Sequence, residues 1–218
     1  MPRPFDVIVF DWDGTVVDST AMIARSIQKA AADLDLRVPS LEQASHVIGL
    51  GLHDALATAV PDLTADRIDA FSARYRHHYF AVEPEIVLFD GMRELLVELA
   101  ESGATLAVAT GKSRRGLDRA FAATGLWMFF SASRCADETQ PKPHPAMLWE
   151  LGAELAVSSQ HMVMIGDTTH DLAMARSADT PSIGVTYGAH PRAQLQAEGA
   201  LALVDSVMEL RSWLLTSG

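Results

Sequence analysis

What most constrains the fold is the interval between the first apolar run of the chain and the next one. Residues 5–10 are short, almost wholly apolar and followed at once by charge, which reads as one buried strand of a parallel sheet. From about residue 19 to residue 80 no strand is convincing. The apolar residues there fall instead at helical spacing: Ile23, Ile27, Ala30, Ala31 and Leu34, then Leu52, Leu56, Ala59 and Val60, then Ile68, Phe71 and Tyr75. Pro39, Gly49 to Gly51 and Pro61 break this stretch into separate helices. After Phe89-Asp90-Gly91 the rhythm changes to short apolar runs alternating with helical ones, which predicts βα units. Strands are expected at 105–109, 161–165, 181–185 and 201–204, with helices at 92–102, 114–124, 145–155, 171–178 and 206–215. The expected fold is therefore α/β: a doubly wound parallel sheet begun by the first strand, interrupted by a small helical insert, and completed by the rest of the chain. The expected division is a core of 1–17 and 88–218, with 18–87 as the insert.

A chain of 218 residues buries enough surface for this without a staple, and its single cysteine, Cys135, cannot form an internal disulfide. A reducing, cytoplasmic setting is the expectation, since the apolar run near Met1 is too short for a membrane span and is cut by Asp11 and Asp13. Asp plus Glu number 28 against 17 Lys plus Arg, a net charge of -11, which argues against nucleic acid or an anionic membrane surface as partner. A small anion remains compatible, because a few cations beside a metal ion outweigh the global charge locally.

Two acidic pairs sit where predicted strands end: Asp11 and Asp13 after the first, Asp167 and Asp171 after Val163-Met164-Ile165-Gly166. Any one of them is about as well explained as the cap of the following helix. Together, four carboxylates converging on one sheet edge would repel each other unless a hard cation such as Mg²⁺ neutralised them. Between the pairs lie Thr110, at the end of a strand, and Lys142, held between Pro141 and Pro143. A hydroxyl, the backbone N–H of Gly111 and an ammonium would supply donors for the oxygens of a transferring phosphoryl group.

Asp11-Trp12-Asp13-Gly14-Thr15, Ala109-Thr110-Gly111-Lys112-Ser113, Gln140-Pro141-Lys142-Pro143 and Ile165-Gly166-Asp167-Thr168-Thr169-His170-Asp171 resemble, in order, the four motifs of the haloacid dehalogenase (HAD) superfamily. The likeness covers essentially the whole chain and is nearest to the phosphoglycolate phosphatase-like branch. It implies a Rossmann-like core with a helical cap, and Mg²⁺-dependent hydrolysis of a small phosphorylated metabolite through an aspartyl-phosphate. It further implies Asp11 as nucleophile and Asp13 as acid and base, with Thr110 and Lys142 on the phosphoryl oxygens. The implied metal ligands are Asp11, the backbone carbonyl of Asp13, Asp167 and, directly or through water, Asp171. Trp12 should point away from the site. Assembly as a monomer or a homodimer is expected.

Residues 48–53 of the insert, with Gly49, Leu52 and His53, are the expected specificity loop, although the glycines also suit ordinary helix ends. By the same likeness, an acid at position 13 favours phosphoryl transfer over dehalogenation, the absence of a cap-loop lysine speaks against phosphonate cleavage, and Leu52 stands where a phosphomutase carries arginine. A phosphate-binding module without turnover is the alternative of a different class. Lys112, Arg114 and Arg115 read as a solvated helix start, with Lys112 also a candidate for the mouth of the site, and the histidines show no metal-ligand spacing.

Overall fold

The computed structural model describes residues 5–216. Its element order is β1 (Val7–Phe10), β2 (Val17–Asp18), α1 (Thr20–Asp33), α2 (Leu41–His46), α3 (Leu52–Ala59), α4 (Ile68–Val82), β3 (Val87–Leu88), α5 (Met92–Glu101) and β4 (Thr105–Thr110). It continues with α6 (Arg114–Thr124), β5 (Phe130–Cys135), α7 (Ala146–Glu154), β6 (Met162–Gly166), α8 (Thr169–Ser177), β7 (Ser182–Val185), α9 (Arg192–Gln196), β8 (Ala202–Val204) and α10 (Val207–Thr216).

Six strands form one parallel sheet in the order β5-β4-β1-β6-β7-β8. All four residues of β1 are buried, as an all-apolar strand in the centre of a sheet requires. Their side chains alternate between the two faces. Ile8 and Phe10 join a core with Leu95, Leu99, Leu210 and Leu214, whereas Val7 and Val9 join one with Met147, Leu151 and Met174. The chain winds outward from β1 through β4 to β5, then returns to β6 on the other flank and winds the opposite way. That reversal beside β1 opens a crevice at the carboxyl ends of β1, β4 and β6, the place where such sheets bind ligands.

The insert has a core of its own, built around Ile27, Leu56 and Phe71. Its helix α2 starts with a reciprocal capping box between Ser40 and Gln43, which fixes where the chain re-enters helix after Pro39. At its base, β2 and β3 pair antiparallel, Val17 with Leu88 and Asp18 with Val87, so that the chain enters and leaves the insert side by side. Among the described residues no helix is long and apolar enough to cross a membrane.

The expected core strands are present with ends shifted by one or two residues, but three further strands appear. Strand β5 reads Phe-Ser-Ala-Ser-Arg-Cys; it lies at the sheet edge with several half-exposed side chains, so it lacks the apolar continuity that marks a central strand. The pair β2 and β3 is two residues long on each side and carries no periodicity to detect. The expected helix from residue 171 instead begins at Thr169, because Thr168 and Asp171 cap each other at its start.

Candidate active site

Each acidic residue reaches the crevice for a local reason. Asp11 directly continues β1, and its N–H donates to Ile165 O at 2.8 Å, which carries the sheet register one residue beyond the strand. Gly14 then turns the chain with φ 81°, a conformation that favours glycine. A Cβ at Gly14 would also lie 2.1 Å from Asp167 Oδ2, so the loop passes against that carboxylate because it has no side chain. Trp12 points away as expected, edge-on to Phe121 and Phe130 in the core.

Asp11, Asp167 and Asp171 are buried and each offers an oxygen within 4.8 Å of the others. Between them stands Lys142, fully buried, with Nζ 2.6 Å from Asp11 Oδ1 and 2.6 Å from Asp171 Oδ1. Asp171 takes part in capping α8 and at the same time joins the charged cluster. Its Oδ2 caps α8 by accepting from the Thr168 N–H at 3.0 Å and the Thr168 hydroxyl at 2.7 Å, while Oδ1 faces Lys142. Asp167 accepts from the Thr15 hydroxyl at 2.9 Å through Oδ1 and from the Ala189 N–H at 2.7 Å through Oδ2.

Three buried carboxylates against one ammonium leave excess negative charge at the site. Burial, with the charges of Asp171 and Asp167, pushes the Asp11 carboxyl well above the usual range despite Lys142. Asp167 is likewise pushed up to about 7, by burial first and Asp171 second. The pKa of Lys142 is raised as well: burial favours the neutral amine, but Asp11 and Asp171 outweigh it and hold the charged form. Among the described residues Asp11 Oδ2 is a buried oxygen with no hydrogen-bond partner. A hard divalent cation fits this donor set, because three buried carboxylates offer it oxygen ligands and it would neutralise their surplus charge.

Above the triad lies a chamber of about 770 Å³ between the sheet edge and the insert. Asp11, Asp13 and Gly111 line its core side, and Gly49, Leu52 and His53 line the opposite wall. The two sides touch through glycines. A Cβ at Gly111 would lie 2.5 Å from the carbonyl oxygens of Gly49 and Leu50, and Gly49 itself holds φ 93°. The expected specificity loop is thus part of the chamber wall, and its close approach depends on Gly111 as much as on its own glycines.

Thr110 is buried at the end of β4 and its Oγ1 accepts from the Lys112 N–H at 3.2 Å. The side chain of Asp13 stands apart from the triad: Oδ1 accepts from the Ser19 hydroxyl at 2.7 Å, and Oδ2 faces Lys112 Nζ at 3.0 Å. Lys112 is therefore not a solvated helix start. It is drawn into the chamber wall by Asp13 and by Tyr79 of α4, whose phenol oxygen accepts from Nζ at 2.9 Å. Helical spacing places Tyr79 on the same face as Tyr75, but nothing local in the sequence couples either to residue 112.

A second group that spacing does not reveal joins insert and core on another side. His46 of α2 stacks on His190 with centroids 4.8 Å apart, and its carbonyl oxygen accepts from Nε2 of both His170 and His190 at 3.0 Å. The Nδ1 of His190 accepts the Thr169 N–H at 3.0 Å, which assigns its proton to Nε2. Burial and the neighbouring His170 press the pKa of His190 down to about 4, so the ring is neutral at neutral pH.

Residues 8–185 match the family model described as haloacid dehalogenase-like hydrolase. The chain belongs to this family of hydrolases. Over 94% of its length it is 36% identical to the "Probable phosphatase IndB" of Dickeya dadantii, covering 91% of that protein. It is 30% identical to the "Phosphoglycolate phosphatase" of Colwellia psychrerythraea, over 94% of this chain and 95% of that one. In three dimensions it resembles the crystal structure of a predicted phosphatase from Clostridium acetobutylicum, with a TM-score of 0.86, 27% identity, and coverage of 97% of this chain and 98% of the other.

Proposed function

We propose that this chain is a Mg²⁺-dependent phosphatase of the phosphoglycolate phosphatase-like kind, hydrolysing a small phosphorylated metabolite through an aspartyl-phosphate on Asp11. The observation that carries this reading is the asymmetry of Asp11. Lys142 grips Oδ1 at 2.6 Å, while Oδ2 has no hydrogen-bond partner, an arrangement suited to a nucleophile aimed by one oxygen and free at the other.

In the first half-reaction Asp11 Oδ2 bonds to phosphorus as the ester oxygen leaves, and protonated Asp13 delivers its proton to that oxygen. In the second, the Asp13 carboxylate takes a proton from water, the resulting hydroxide bonds to phosphorus, and the bond to Asp11 breaks to release inorganic phosphate. Thr110, the Gly111 N–H and Lys142 hold the phosphoryl oxygens during both transfers. Asp11, Asp167, Asp171 and the Asp13 carbonyl would hold Mg²⁺, which when bound withdraws charge from the phosphoryl group. The insert, taken as residues 18–87, acts as a cap that excludes water and selects the leaving group through Gly49, Leu52 and His53.

The test is hydrolysis of 4-nitrophenyl phosphate with and without Mg²⁺, followed by a panel of phosphorylated metabolites that includes phosphoglycolate. Metal-dependent release of phosphate and a trapped phosphoenzyme are expected. Full activity in chelator, or turnover by Asp11→Asn, would refute the mechanism.

A further inference from the structure

The chemistry just proposed gives Lys112 no task, yet its side chain is only 11% exposed and its ammonium faces the acid–base residue. The ammonium has Asp13 and the Tyr79 hydroxyl as its partners there. Such a charge is costly to bury unless every partner is in place. One partner belongs to the core loop, Asp13 at 3.0 Å; the other, Tyr79, belongs to the insert, with its hydroxyl 2.9 Å away and its ring centroid 4.9 Å from Nζ. Tyr79 is itself braced by Tyr75, stacked at 5.8 Å with 18° between the planes.

The two oxygens of Asp13 thus have different holders. Oδ1 is held by Ser19, the residue that precedes α1, and Oδ2 by Lys112, which Tyr79 holds in turn. Both restraints come from the point where the insert meets the core. A carboxyl that must meet the leaving oxygen and then a water molecule gains from a fixed rotamer, since proton transfer requires hydrogen-bond distance. We infer that Lys112 and Tyr79 are positioning residues that fix the Asp13 carboxyl, so that the acid–base function is assembled only when the insert is seated on the core. This rests on the assignment of Asp13 as acid and base. It adds to that assignment a lysine and a tyrosine that act through Asp13.

A residue acting through the general acid matters in proportion to how much help the leaving group needs. Lys112→Met should therefore lower kcat/KM for glycerol 2-phosphate about 100-fold, the low end of a general acid–base contribution. For 4-nitrophenyl phosphate, whose leaving group departs unaided, the loss should be no more than roughly threefold. Tyr79→Phe, which keeps the ring and removes only the hydroxyl, should show the same pattern at about tenfold on glycerol 2-phosphate, and it serves if Lys112→Met folds poorly. In an Asp13→Asn background Lys112→Met should cost nothing further, because residues that act as a unit are not additive. Equal losses on both esters, no loss on either, or a full additional loss in the Asp13→Asn background would overturn the inference. If Asp13→Asn itself treats both esters alike, the acid–base assignment fails instead, and the two failures are told apart by that one variant.

Discussion

The core side of the chamber and the insert side are built by opposite rules. On the core side, Asp11, Lys142, Asp167 and Asp171 are all buried, and each charge is supplied by the loop beyond a strand or, for Asp171, by the first turn of the helix that follows. The insert side is a largely apolar wall, with Ile48 and Leu50 in the turn between α2 and α3 and Leu52 at the start of α3, and it meets the core through backbone carbonyls against Gly111 as well as through Tyr79 and His46. In the proposed mechanism the core-side groups meet the part that all esters share, so function confined to that side should be lost alike for every ester. Function on the insert side should depend on the ester, because only the leaving group reaches it.

The largest break in this contrast is Asp11→Asn. Turnover should fall by at least about 10⁴-fold for all esters, as when a covalent nucleophile is removed. Because burial already disfavours the Asp11 carboxylate, the melting temperature in chelator should be unchanged or higher. A melting curve recorded beside the activity assay checks both halves of the expectation. Next in size are Lys142→Ala and Thr110→Ala. Each should cost roughly 100- to 1,000-fold in kcat on every substrate, the range for loss of one donor to developing charge. A loss confined to some esters would move these residues from the floor to the wall.

Metal binding gives a smaller effect with a defined direction. With the metal-free Asp167 carboxyl near 7, a ligand must lose a proton there before it binds Mg²⁺, so apparent affinity should weaken as pH falls below about 7. Calorimetry at pH 8 and pH 6 should show a roughly tenfold difference, with protons released on binding. Pure proton linkage makes the sign unambiguous: the raised pKa contributes stability to the metal-free fold that is present below the ordinary value of 3.8 and lost as pH rises through about 7. Affinity that is flat across this range would remove Asp167 from the ligand set.

The smallest effects belong to the wall. Leu52→Ala or His53→Ala should change the ranking among natural esters by roughly 10-fold, with little change for 4-nitrophenyl phosphate. A kcat/KM matrix of variants against esters checks this, and a uniform reduction across it would make the loop structural.

Much of the core side is legible because Asp11, Asp167 and Asp171 follow closely on strand ends, and strand ends announce themselves by a change from apolar to polar. The sequence groups Asp11, Asp167 and Asp171 on that basis, and Lys142 through the prolines that flank it, but it groups Asp13 with them too, whereas the Asp13 side chain turns to Ser19 and Lys112. The pairing of Lys112 with Tyr79 could not be read, since it joins residues 33 apart across two separately packed cores. For the same reason the imidazole group of His46, His170 and His190 was invisible: its members come from α2, α8 and the loop after β7, with nothing periodic to connect them. Strand β5 was missed on weaker grounds, its half-polar composition being that of an edge.

The short antiparallel pair of β2 and β3 has a consequence for how such a chain can change over generations. Val17 and Leu88 hold the two ends of the insert together whatever lies between them, so the loop-closure entropy of the insert is already met at its base. Because each doubling of a flexible loop costs only about 0.6 kcal/mol, an intervening segment of different length or sequence can be exchanged there without disturbing the register of β1 with β4 and β6. The paired strands β2 and β3 are thus the place where an exchange of the intervening segment would disturb the sheet beneath it least.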